Sequence, residues 1–167
     1  ADLPVAVAEW GQKHDRPIEI VAVDRHPGTL HAARKRTAGN PRIRLTRGDG
    51  LRLPFPAGAF DVALLSMTLH HMEGDALTGL LAEVRRVARG GRVLVGELER
   101  SVPNYLGARL LAATIWRRNP VTRHDGPLSV RRAFTPAELL ALARDAGFRH
   151  PTVHRHAFYR LVLRAEA

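Results

Sequence analysis

Short apolar runs, each closing on an acid or a polar residue and followed by a helical stretch, constrain this chain more than any other feature. The clearest is IEIVAVD, residues 18–24, which follows the breaker Pro17 and ends on Asp24. It is rich in Ile and Val and apolar on both faces near its end. A strand buried in a parallel sheet reads this way; a half-solvated antiparallel strand alternates instead.

The pattern repeats along the chain. Residues 3–13 suit a helix with Leu3, Val7 and Trp10 on one face. Residues 29–37 suit a second, ended by Gly39-Asn40-Pro41. RIRLTRGD then alternates like a strand and stops at Gly48-Asp49-Gly50. FDVALLSM reads as the next buried strand. Residues 75–88 form an amphipathic helix with Leu77, Leu80, Leu81, Val84 and Val87 inward, and RVLVGEL is a further strand. Strand and helix thus alternate over residues 1–98, which predicts an α/β fold: a Rossmann-like, mostly parallel sheet with helices on both faces.

Residues 99–134 interrupt the alternation with a helix, NYLGARLLAATIWRR, and a polar loop, TRHDGPLSVRR. Thr135, Pro136 and Glu138 then form a capping box that opens another helix, ended by Gly147. The last residues, from His150 on, suit a C-terminal antiparallel strand pair. A length of 167 residues favours one domain over 1–167, with 99–134 as an insertion that covers the site.

Composition removes several kinds of chemistry. There is no cysteine, hence no disulfide, thiolate metal site or cysteine nucleophile. This fits a cytoplasmic protein. No apolar run is long enough to span a bilayer. The formal charge is +10, and all but two of the 26 basic residues are arginines. They are scattered rather than interleaved with aromatics, so nucleic acid is an unfavoured partner.

In an open α/β sheet, ligands sit outside the carboxyl ends of the strands. Asp24, Asp49, Ser66 and Glu97 all fall at or just beyond predicted strand ends. Asp24 can accept two hydrogen bonds from a ribose diol, or it can serve as a turn or cap acid before Thr29. Asp49, between two glycines, can take the amino group of an adenine, or it can sit in a simple Gly-Asp-Gly turn.

VAVDRHPGTLHAAR, GDGLRLPFPAGAFDVALLSMTLHHM and LLAEVRRVARGGRVLVGEL, in this order and spacing, resemble the class I methyltransferases that use S-adenosylmethionine. The likeness covers residues 1 to about 98 and resumes at FTPAELLALARDAGF. It implies that Asp24, with Arg25 beside it, holds the cofactor's ribose hydroxyls. It implies that Asp49 and Gly50 face the adenine, that Leu51 contacts the ring, and that Ser66 lies near the methionine portion. The family's first strand and glycine-rich loop precede its first helix. We expect them upstream of Ala1, about twenty residues before Asp24. YLGARLL and TRHDGPLSVRRAFTPAEL further resemble bacterial methyltransferases associated with polyketide synthases. That implies secondary metabolism and O-methylation of a small phenolic or polyketide-derived acceptor.

A phenol benefits from a base near its hydroxyl, and histidine has a suitable pKa. The candidates are His70, His71 and His124. His70 also suits a structural position, in the core or at a helix start. His150, His154 and His156 are spaced to share one strand face, but no acid or cysteine accompanies them, so no metal site is expected. Leu106, Leu110, Leu111 and Ile115 form an apolar stripe that walls an acceptor pocket or packs on the domain or a partner subunit, which leaves a homodimer open. Two other functions compete: a nicotinamide-dependent oxidoreductase, since an acid after a strand also suits a dinucleotide, and a non-catalytic basic domain that binds RNA or a protein.

Overall fold

The alternation of the sequence reappears in the order of the elements. The computed structural model describes residues 2–167. The elements are α1 (Asp2–Lys13), β1 (Ile20–Asp24), α2 (Pro27–Thr37), β2 (Ile43–Arg47), β3 (Val62–Ser66), α3 (Gly74–Val87), β4 (Arg92–Leu98), α4 (Val102–Ala113), α5 (Pro120–Arg132), α6 (Pro136–Asp145), β5 (Arg149–His156) and β6 (Arg160–Glu166). Short 3-10 turns cover Leu69–His71 and Ile115–Arg118. The chain falls into two units, one ending at Pro54 and the other spanning Phe55–Ala167.

In the first unit β1 and β2 pair in parallel, from Ile20 opposite Ile43 to Asp24 opposite Arg47. α1 buries its small residues Ala8 and Gly11. The chain turns tightly there, with Arg16 N–H donating to the Gly11 carbonyl at 2.8 Å. Leu3 and Trp10, read on one helix face, are exposed, and Trp10 stacks on His14 with ring centroids 4.6 Å apart.

In the second unit the strand order is β3-β4-β6-β5. β3 and β4 are parallel, whereas β6 runs antiparallel to both its neighbours. The expected C-terminal strand pair is therefore present, with its last strand inside the sheet. Val93, Val95, Leu161 and Leu163 supply the sheet's side of the core; Leu80, Leu81 and Val84 of α3 and Leu139 and Ala143 of α6 pack against them. Each fully buried leucine of this kind contributes about 1.5–3 kcal/mol. The capping box forms as read: Thr135 Oγ1 accepts from Glu138 N–H, and the Glu138 carboxylate accepts from Thr135 N–H at 2.8 Å.

Three expectations are corrected. The polar stretch read as a loop is the helix α5. Asn119 caps it, accepting from Thr122 N–H at 3.2 Å, and Pro120 starts it. Gly126 and Pro127 lie inside it and hid the helical pattern; proline there lacks the N–H that would complete the ladder. The helix read over 104–118 ends at Ala113 and continues only as the 3-10 turn. Finally, β5 shifts register between Arg149 and Thr152, and His150 adopts a positive φ of 49°. His150 therefore leaves the alternation shared by His154 and His156.

Gly126 has a direct steric reason. A Cβ at this position would stand 2.5 Å from Cζ3 of Trp116. Gly126→Ala is expected to lower stability by about 1–3 kcal/mol through overpacking, measured by denaturant unfolding. In a Trp116→Ala background the same substitution adds no cost.

Candidate active site

Adjacent parallel strands bring two carboxylates to one end of the first unit. Asp24 closes β1, and its carbonyl accepts from Gly48 N–H at 3.2 Å, one residue before Asp49. Asp24 Oδ1 accepts from His26 N–H at 2.7 Å, and His26 Nδ1 accepts from Gly28 N–H at 3.1 Å. One carboxylate oxygen thus fixes the turn into α2, while Oδ2 makes no hydrogen bond. Asp49 behaves alike: Oδ1 accepts from Leu51 N–H at 3.0 Å. The turn role of each acid is therefore observed, on one carboxylate oxygen.

The neighbours have plainer roles. The Arg25 carbonyl accepts from Arg47 Nε at 3.3 Å. Leu51 is exposed and Gly50 half-buried. Gly48 is small because of its own unit: a Cβ there would lie 3.0 Å from a Val23 methyl. A cavity of about 400 Å³ lies between α2 and β2, lined by Pro27, Leu30, His31, Arg34, Leu45 and Arg47. Neither acid lines it; Asp24 is half-buried and Asp49 exposed.

The second unit holds a denser cluster. β3 and β4 align Ser66 with Gly96, and Met67 N–H donates to the Gly96 carbonyl at 2.8 Å. Met67 has a φ of 55°, which swings the chain out of β3 into the 3-10 turn. Beside this turn stands Glu97, 0 % exposed. Its Oε1 accepts from Thr68 N–H at 2.8 Å and Leu69 N–H at 2.6 Å, and its Oε2 lies 2.6 Å from His70 Nδ1. Three partners compensate a carboxylate that would otherwise be costly to bury. Because the carboxylate accepts, Nδ1 carries a proton; the ring is buried, its side chain 2% exposed.

His71 stacks obliquely on His70, with centroids 4.1 Å apart and ring planes at 43°. Its pKa is lowered, first by partial burial of the ring and next by His70 beside it. Arg132 adds to this, while Glu97 and Asp125 oppose it. His71 thus stays neutral further into acid than an ordinary histidine.

α5 packs on the 3-10 turn, and it is Asp125, not His124, that acts on His71. His124 itself is exposed and makes no hydrogen bond. Ser66 is exposed at the end of β3, and its carbonyl accepts from Thr68 Oγ1 at 3.0 Å.

The structure therefore joins Glu97 to His70 by a hydrogen bond and His71 to His70 by ring contact, at the turn that follows Ser66. Sequence reasoning placed Glu97 on a strand end but missed its clamp. The signal was in VLVGE: Glu97 shares the strand face of Val93 and Val95, both fully buried. Glu99, also buried, was missed too. Its Oε1 accepts from Arg155 Nε at 2.8 Å, and its carbonyl accepts from Asn104 Nδ2 at 2.7 Å, which ties the start of α4 to β5.

Comparison with known proteins agrees with the fold. Residues 5–95 match the family described as Methyltransferase domain. An uncharacterized 37.1 kDa protein in transposon TN4556 of Streptomyces fradiae is 33% identical over 135 residues, covering 80% of this chain and 37% of its own length. The demethylmenaquinone methyltransferase of a Parafrankia strain is 40% identical over 103 residues, covering 50% of this chain and 39% of its own. The chain thus spans well under half the length of these curated relatives.

Among solved structures, the CMeT domain of the citrinin polyketide synthase superposes with a TM-score of 0.72 at 20% identity, covering 98% of this chain and 42% of that one. An S-adenosylmethionine-dependent methyltransferase from Aquifex aeolicus gives 0.66 at 15% identity, covering 88% and 68%.

The charges around His71 make its titration a check on the cluster. Asp125→Asn is expected to lower the His71 midpoint further, since Asp125 raises it, and Arg132→Gln is expected to raise it. Histidine ring resonances followed by NMR across pH read both directions.

Proposed function

We propose, since the chain belongs to the methyltransferase domain family, that it serves S-adenosylmethionine-dependent methyl transfer to a small-molecule acceptor. The acceptor class we favour is phenolic or polyketide-derived, methylated on oxygen. The observation that supports this reading is the buried His70–Glu97 pair, with Nδ1 2.6 Å from Oε2, at the carboxyl end of β3 and β4.

The residues of the first unit fit the cofactor's nucleoside by their donor set. Ribose hydroxyls and an adenine amino group are donors, and Asp24 and Asp49 each keep one carboxylate oxygen without a hydrogen bond. Asp24 would hold the ribose, Asp49 the amino group, and the exposed Leu51 side chain would lie against the ring. Bound S-adenosylmethionine supplies an electrophilic methyl group on a sulfonium.

The remaining chemistry belongs to the chain's own residues. His70 Nε2 takes the proton of an acceptor hydroxyl, and Glu97 stabilises the imidazolium that results. His71, held neutral, adds an uncharged wall beside the reacting oxygen. The insertion over residues 99–134 covers the site through α5, which packs on the turn that bears both histidines. Alignment of the acceptor oxygen with the methyl group can lower the barrier by roughly 7–11 kcal/mol. Relatives named demethylmenaquinone methyltransferase support a small organic acceptor rather than a macromolecule.

Calorimetry on the full-length gene product tests the cofactor. S-adenosylhomocysteine is expected to bind, and Asp24→Ala to weaken it about 10- to 100-fold, the loss of charge-assisted hydrogen bonds. His71→Ala weakens it less. Heat for a nicotinamide dinucleotide and none for S-adenosylhomocysteine would favour the oxidoreductase instead.

For the base, His70→Gln is expected to cut turnover about 10²- to 10⁴-fold at unchanged S-adenosylhomocysteine affinity. An NMR spectrum of the product separates a methyl on oxygen from one on carbon, and a C-methyl product overturns the O-methylation reading.

A further inference from the structure

The helical hairpin of the second unit, α4 through α5, presents a surface that methyl transfer does not require. Val102, Leu106 and Leu110 lie four residues apart along α4 and so share one face. Ile115 follows in the 3-10 turn, and Val121 stands at the start of α5. These five side chains are 60 to 74% exposed. α4 packs into its unit through Ala108 and Ala112 instead. The apolar stripe seen in the sequence is therefore bare on its Leu106–Leu110 side.

Charge tells what chemistry would cover it. Residues 100–134 carry seven arginines and a single acid, Asp125. Arg109, Arg117, Arg118 and Arg123 are all exposed, on or next to the segments that bear the bare apolar residues. A second copy of the same face would bring these arginines together with almost no acid to meet them. Nucleic acid would use the arginines but not the aliphatic stripe, since base stacking needs aromatic platforms. The hairpin's Trp116 is already packed against Gly126. An anionic lipid surface uses both features: its phosphates take the arginines, and its headgroup–acyl boundary takes Val, Leu and Ile.

We propose that the α4–α5 hairpin docks the protein on an anionic lipid bilayer, lying in the interface. No helix among the described residues is long and apolar enough to cross a membrane, so the mode is surface attachment. The proposal does not depend on the identity of the cofactor or the acceptor.

Vesicle flotation tests it. The protein is expected to float with vesicles of equal phosphatidylglycerol and phosphatidylcholine and to stay behind with phosphatidylcholine alone. Leu106→Asp with Leu110→Asp is expected to lower the partition by about tenfold or more. Arg117→Gln and Arg118→Gln lower it by about fivefold each. All four side chains are exposed, and circular dichroism verifies that the variants keep the fold.

Absence of flotation with phosphatidylglycerol overturns the proposal. So does flotation that salt abolishes but the leucine pair leaves unchanged, which reports only the diffuse attraction of a +10 chain. A concentration-dependent dimer in sedimentation without lipid, abolished by the leucine pair, assigns the face to self-association and overturns it equally.

Discussion

One buried carboxylate fixes the geometry of the second unit's rim. Glu97 sits on the inner face of β4 in phase with Val93 and Val95, where an unpaired charge would cost several kcal/mol. It is kept there by two backbone N–H groups and an imidazole nitrogen, all from the turn that follows β3. The same contacts that make the carboxylate tolerable define the path of Thr68–His70. Strand end, turn and histidine ring are therefore set by a single group rather than by separate local preferences. The positive φ of Met67 belongs to this arrangement, since it turns the chain toward the carboxylate.

Much of this was legible from the residues, and the remainder was not for identifiable reasons. Strands with strong Val and Ile content, such as β1 and β4, were placed to within a residue or two, because burial on both faces leaves little else such runs can do. The Thr135 capping box was read from spacing alone, because its hydrogen bonds are local. α5 was missed because its helical pattern is broken by Gly126-Pro127, and its reason for being helical lies in Asn119 and in Trp116 packing on Gly126. The site divided the same way. Acids at strand ends follow from topology. The partnership of Glu97 with His70 spans 27 residues of sequence, and no local pattern states it.

Asp24 and Asp49 show how one carboxylate can serve two demands. Each gives one oxygen to a backbone N–H two residues on, which rigidifies the turn, and keeps the other oxygen aimed elsewhere. A ligand reaching these acids meets acceptors that are already oriented, so less side-chain freedom is lost on binding. The sequence alone posed the turn role and the ligand role as competitors. The geometry shows the first, and it leaves one oxygen of each acid for the second.

The position of β6 bears on how the protein comes into being. Arg160–Glu166 lies between β4 and β5, and Leu161 and Leu163 complete the core at the centre of that sheet. A ribosome delivers the chain from its amino end, so β3, β4, α3 and α6 all emerge before the strand that joins β4 to β5. Until residue 166 leaves the exit tunnel, β4 keeps an open edge and α3 faces half a core. Folding of this unit is thereby deferred until its translation is nearly done, and the nascent chain must be shielded for that interval.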